Sequence, residues 1–331
     1  MDNVWLSSGG TTMRILSGTL LFLLSLAAWA RGDIEAIYPS NPNVIGEALI
    51  VAGSGVTRLE LDGLEPAWHS LEGVQPFEPV VAENLVVVGS PTGLFALEVE
   101  TGEVVWHMAS SHALFTPTIV GGIAYAGGED GILRAVDLSS GEERWHHKLA
   151  GWVFSPAVVA GHLVTGGSEG TLWGLTASDG SERWHKELGQ ELIFRPVAGR
   201  DDPVYVSTSD GGVLAVGADT GELRWQAQLA TPTTATIFGS RIYFVQFSGL
   251  ITAHDRYTGH QLWAYQLVGP STIPARVVDG KILAVTDDGA SVILDPESGR
   301  VLEGADHSEE PPGLPPELRP DGDELMAGRG P

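Results

Sequence analysis

The chain has 331 residues, and its 42 acidic side chains against 18 basic ones give a formal net charge of −24. Such a surface repels phosphate backbones and anionic lipid, which excludes nucleic-acid binding. The chain has no cysteine, so it has no disulfide framework, thiolate metal site or cysteine nucleophile, and no lipid anchor through an N-terminal cysteine.

The N-terminus reads as an export signal. Met13-Arg14 precedes an uncharged run from Ile15 to Ala30 with Leu20–Leu24 at its centre, and Ala28-Trp29-Ala30 fits the small-x-small rule for signal peptidase. Residues 1–30 are therefore expected to be a signal peptide whose true start is Met13, with cleavage after Ala30 and a periplasmic or otherwise extracytoplasmic product. The uncharged run is shorter than the roughly 20 residues a spanning helix needs. An uncleaved anchor is the alternative.

From Trp68 onward the chain repeats. Trp68, Trp106, Trp145, Trp184, Trp225 and Trp263 are spaced 38, 39, 39, 41 and 38 residues apart, and each closes a similar phrase. A period near 40 with strand-like content marks a propeller array. The fourth repeat shows the unit. Pro156–Val159, Leu163–Gly166, Thr171–Leu175 and Glu182–Lys186 read as four short strands, with hairpin signals at Glu169-Gly170 and Asp179-Gly180. Turn glycines recur in step at 93, 131, 170, 211, 249 and 289, and again at 102, 141, 180, 221, 259 and 299. A worn repeat occupies 41–68, with a shortened turn at Asp62-Gly63. A last one ends at Glu303, where tryptophan is replaced.

The expected fold is all-β: a single propeller over residues 33–303 with seven four-stranded blades. Eight is the alternative, if Gly32–Tyr38 adds a strand at closure. Residues 304–331, rich in proline and acid, are expected to be a disordered tail. The tryptophans are expected to fill the gap between blade faces, each burying about 4–6 kcal/mol of apolar surface as an upper figure.

The phrases ALEVETGEVVW, AVDLSSGEERW and AHDRYTGHQLW resemble the repeat of quinoprotein-type propellers. That family includes quinone-dependent alcohol dehydrogenases and BamB, a non-enzymatic scaffold of the bacterial outer-membrane β-barrel assembly machinery. The enzymes resemble eight-bladed rings about twice this length, with adjacent joined cysteines beside the quinone and a calcium held by acidic side chains. This chain has neither the cysteines nor an insertion to carry a cofactor. The segment RIYFVQFSGLITAHDRYTGHQLWAY, residues 241–265, reads much like the scaffold's repeats. The scaffold resembles an eight-bladed lipoprotein with a basic Leu-Arg-Gly segment, whereas this chain shows seven repeats, no lipidation cysteine, and ELIFR before Pro196. The resemblance implies an exported, non-enzymatic binding protein without a cofactor, monomeric by itself. Its partner would be a protein, with the outer-membrane β-barrel assembly machinery the leading candidate, and that partner would hold it at the outer membrane. A small-ligand-binding or quinone-dependent redox propeller is the alternative.

Histidine follows tryptophan at His69, His107, His146 and His185. Equivalent positions on successive blades are at least about 10 Å apart, too far to share one metal ion. The acidic turns Glu129-Asp130-Gly131, Asp201-Asp202 and Asp287-Asp288-Gly289 lack full calcium-loop spacing. Neither nucleophile elbow nor nucleotide fingerprint is present, so no catalytic, cofactor or metal residue is expected. Phe77, Phe115, Phe154 and Phe194 each stand two residues before the proline that opens the innermost strand, where other repeats have Ser40, Thr233 and Thr272. They are either packed beneath their own loops or form an apolar crescent that receives a partner peptide. Arg195 and Arg276, on innermost strands, would orient an acidic group there. The acidic turns around Asp130, Asp210 and Asp288 are expected on the opposite face.

Overall fold

The computed structural model describes residues 7–8, 11–12, 43–45, 48–61, 65–201 and 203–304. Apart from a short ladder of Ser7–Ser8 with Thr11–Thr12, the expected signal segment lies outside the described residues. The Gly32–Tyr38 strand, the Asp62-Gly63 turn and the tail beyond Gly304 lie outside them too. All regular structure among the described residues is strand.

Seven four-stranded sheets occupy residues 43–70, 80–109, 118–148, 157–187, 197–228, 233–266 and 276–304. They are the blades of a seven-bladed β-propeller. In each, the four strands are neighbours in chain order, the meander expected when every link is a tight turn. Blade 4 is built from Ala157–Val159, His162–Gly166, Thr171–Thr176 and Glu182–Glu187. Both sets of turn glycines have positive φ, for example +69° at Gly170 and +74° at Gly141, a region glycine enters without Cβ strain.

The described residues divide into two compact units, those up to Asp130 with Arg134–Arg144, and Gly131–Leu133 with those from Trp145 onward. In the first, the strand Leu85–Ser90 is buried on both faces. Val86 and Val88 pack with Ile50 and Val56 of blade 1, while Leu85 and Val87 pack with Ala124, Ala126 and Val136 of blade 3. Alternate side chains point to opposite faces, so a strand between two blades reads as an unbroken apolar run. The second unit repeats the device. Ile242 and Phe244 join Tyr205 and Ala215 of blade 5, whereas Tyr243 and Val245 join Ile282 and Ala284 of blade 7. First strands of successive blades lie side by side within each unit: Val80–Ala82 with Thr118–Val120, and Ala157–Val159 with Val197–Ala198.

The repeated tryptophans bind each blade to the next. The indole N–H of Trp68 donates to Val99 O at 2.9 Å, Trp106 to Leu138 O at 2.8 Å, and Trp145 to Ala177 O at 3.1 Å. Trp184 reaches Ala218 O at 3.1 Å, Trp225 reaches Arg256 O at 2.8 Å, and Trp263 reaches Pro296 O at 3.1 Å. Each ring also lies against the turn glycine of the following blade. A Cβ on Gly141 would stand 2.6 Å from the Trp106 ring, and one on Gly259 would stand 2.7 Å from Trp225. Those glycines are required twice, for positive φ and for the flat approach of the indole. In blade 7 Glu303 takes the tryptophan position and pairs with Lys281 at 3.6 Å.

Candidate functional site

Antiparallel strands settle which loops share a face. A first strand begins where the second ends, so the segment leading into a blade lies beside that blade's second turn. Backbone hydrogen bonds join the two: Phe77 N–H to Gly89 O at 2.8 Å, Phe115 N–H to Gly127 O at 2.9 Å, and Phe154 N–H to Gly166 O at 3.0 Å. Isolated bridges pair Leu114 with Gly128, Val153 with Gly167, and Leu192 with Thr208. Leu114, Val153 and Leu192 are essentially fully buried beneath these segments. The neighbouring phenylalanines emerge half-buried.

The acidic turns belong to this same face, a correction to the placement expected from sequence. Glu129 N–H donates to Ala113 O at 3.0 Å, Ser209 N–H to Glu191 O at 3.0 Å, and Asp287 N–H to Pro270 O at 2.9 Å. These turns sit beside the segments that lead into their blades, which carry Phe115 in blade 3, Phe194 in blade 5 and Thr272 in blade 7, because both occupy the strand ends of one parity.

In the first unit the Phe77 and Phe115 rings lie 6.0 Å apart and tilted by 49°. In the second, Phe154 meets Trp152 edge-on at 4.9 Å and packs against the core between blades 4 and 5. Phe194 meets Phe247 edge-on at 5.9 Å. Trp152 and Phe247 were missed by sequence reasoning because neither repeats. Phe247 occupies a second turn where other blades have small or acidic residues, and that exception was its only signal.

Arg276 opens the first strand of blade 7 and pairs with Leu283. Arg195 does not lie on a strand. It is exposed in the segment ahead of Val197–Ala198, because Pro196 supplies no N–H to extend the ladder. Of the positions equivalent to the phenylalanines, Ser40 lies outside the described residues. Thr233 is a correction to the expected equivalence: it pairs with Gln246 as Leu192 bridges to Thr208, so it takes the place of the buried Leu114, Val153 and Leu192, and its hydroxyl donates to Val245 O at 3.0 Å. Thr272 donates its N–H and hydroxyl to Asp287 at 2.8 and 2.9 Å.

Most of the turn carboxylates are tied to the turns themselves. The Thr208 hydroxyl at 2.7 Å and the Gly212 N–H at 3.1 Å hold the Asp210 carboxyl below the usual carboxylate range. Thr286 and Ala290 do the same for Asp288. Asp130 forms a 2.5 Å ion pair with Arg134. Among the histidines, His107 stacks on Phe95 at 3.9 Å, His69 contacts the Thr57 hydroxyl at 2.8 Å, and His185 contacts Glu182 at 2.8 Å. Among the described residues, no three His, Asp or Glu side chains are grouped to hold a metal ion. No described helix is long and apolar enough to cross a membrane.

A crystal structure of BamB from Moraxella catarrhalis superposes with a TM-score of 0.66 at 18% identity, covering 82% of this chain and 89% of that one. The computationally designed Ika8 protein superposes with a TM-score of 0.69 at 16% identity, covering 77% and 82%. At these identities the likeness is one of fold. No curated protein sequence matches the chain. The family model described as outer membrane protein assembly factor BamB matches in four overlapping stretches, 7–152, 52–192, 129–272 and 232–328. With its repeats covered from end to end, the chain belongs to the PQQ-type repeat family of the outer membrane protein assembly factor BamB.

Proposed function

We propose that the protein is an exported, non-enzymatic propeller scaffold whose phenylalanine-bearing face captures a protein partner in support of outer-membrane β-barrel assembly. Family membership supports the scaffold class, and the hydrophobic run before Ala28-Trp29-Ala30 supports export to the periplasm. One observation carries the site. Phe77, Phe115, Phe154 and Phe194 stay half-buried on segments hydrogen-bonded to, or bridged with, the neighbouring turns. Aromatic side chains on a backbone that need not reorganise are the usual anchors of a protein interface. Arg195 and Arg276 would orient an acidic group of the partner, and no cofactor takes part.

The test is affinity capture from envelope extracts with the Phe115→Ser/Phe194→Ser protein. Phe154 is left intact because it packs into the core. Capture should be lost while the melting temperature stays close to wild type. Capture at wild-type yield would refute the assignment of the face. Alcohol-dependent dye reduction at an enzyme-like rate after addition of quinone and calcium would refute the scaffold class.

A further inference from the structure

The first unit holds a cleft of about 240 Å³ on this face. Phe77, Pro91 and Ala113 supply its apolar surface, and Gln75, His112 and Glu129 supply polar groups at its rim. The Phe115 ring, 6.0 Å from Phe77, backs the apolar side. The volume lies below the range of about 300–1,000 Å³ typical of pockets that enclose a whole small molecule. It suits one or two side chains of an extended chain lying across the face.

Charge decides which side chains. Glu129 is exposed, and its carboxylate makes no hydrogen bond or ion pair among the described residues. Its backbone is fixed by the hydrogen bond to Ala113 O. Arg134, which follows on the next strand, is occupied by Asp130 at 2.5 Å and Glu143 at 3.6 Å. Among the described residues no Lys or Arg lines the cleft, and the chain as a whole carries a formal charge of −24. An apolar recess with one uncompensated anion on its rim is complementary to an apolar side chain next to a cation.

We infer that this cleft is a peptide-docking subsite that accepts an extended partner segment presenting a large apolar residue beside Lys or Arg. The inference rests on the scaffold reading and adds the chemistry of the segment. The apolar side chain would sit against Phe77 and Pro91, and the cation would meet Glu129, giving register and charge selectivity.

The experiment measures anisotropy of dye-labelled Gly/Ser peptides of about ten residues, differing only in a central Phe-Lys, Phe-Glu or Ser-Lys pair, against the full chain. Phe-Lys should bind, with a preference over Phe-Glu of about threefold to fivefold, the scale of an exposed ion pair. Glu129→Lys should reverse that preference. Phe77→Ser should weaken Phe-Lys binding by about thirtyfold, the loss of one anchor residue. Because Phe77→Ser also removes packing, Ser111→Arg provides a second test. It places a bulky cation at an exposed cleft position and should block Phe-Lys binding at wild-type stability. Overturning results are no Phe-Lys binding up to about 1 mM, or an unchanged preference in Glu129→Lys. Envelope capture run in parallel separates the two readings. If Glu129→Lys and Ser111→Arg capture a partner as the wild type does, the subsite fails and the scaffold stands. If the peptides bind as expected but wild type captures nothing, the scaffold reading fails and the subsite stands.

Discussion

Trp106→Ala is expected to destabilise the protein by about 3–5 kcal/mol, the cost of truncating a buried large aromatic. Trp106 is 8% exposed and packs with Leu85, Ala96, Val136 and Leu138, so the site is lined from both blades and cannot collapse freely. The Leu138 carbonyl also loses its indole donor at 2.8 Å. Gly141→Ala should cost about 1–2 kcal/mol for an L side chain at φ +74°, and more because its Cβ would stand 2.6 Å from the Trp106 ring. Because the two share that contact, the changes are not additive. In the Trp106→Ala background the ring is gone, so Gly141→Ala retains only its backbone cost. The double variant should then be more stable than the sum of the single losses by about 1 kcal/mol or more. Urea denaturation of the four proteins measures the cycle. A Trp106→Ala cost below about 1 kcal/mol, or additivity within about 0.3–0.5 kcal/mol, would refute the indole-on-glycine account.

Ala160 sits at φ +47° in an exposed turn, so Ala160→Gly should raise stability by about 0.5–1 kcal/mol once glycine's entropy cost is counted, seen as a higher urea midpoint; a fall would contradict it. His254 is buried, with Nδ1 toward Gly259 O at 3.0 Å and Nε2 toward the Thr252 hydroxyl at 3.1 Å, and burial lowers its pKa. The unfolded chain then binds the proton first, so stability should decline as pH falls below about 6.5 toward the folded value, and His254→Gln should flatten that slope. Asp137, Asp179 and Asp288 are held below the usual carboxylate range, chiefly by the hydroxyls of Ser139, Ser181 and Thr286. Their contribution is lost at still lower pH, so the urea midpoint should fall again below about 3.8.

The repeat was legible because it is one-dimensional. The tryptophan period and the two glycine series are spacings along the chain, and spacing alone places four strands per blade. Which glycine meets which indole was not legible. Trp106 and Gly141 are 35 positions apart and meet only through blade packing, which the period does not state. The face of the acidic turns was misplaced for a related reason. Asp130 and Phe115 are brought to one side by strand parity, so the turns had to be followed strand by strand rather than matched by composition. Phe247 was hidden because it breaks the pattern instead of repeating it. Arg256 was hidden too: it is buried at a position where other blades have small or apolar residues, and it binds Asp201 through its guanidinium. Leu114, Val153 and Leu192, buried in the segments that carry Phe115, Phe154 and Phe194, are not distinguished by the sequence from ordinary core.

Site-specific photo-crosslinking in envelopes tests the proposed partner face most directly. A photoreactive phenylalanine analogue placed at Phe115 or Phe194 reports the loop face, and the same group at Val120 or Phe238 reports the first turns at the opposite strand ends. Val120 and Phe238 are both exposed, so the controls are as accessible as the test sites. The scaffold account predicts one discrete crosslinked product from Phe115 and Phe194 and none from Val120 or Phe238. The same product from the control positions, with none from the phenylalanine face, would contradict it.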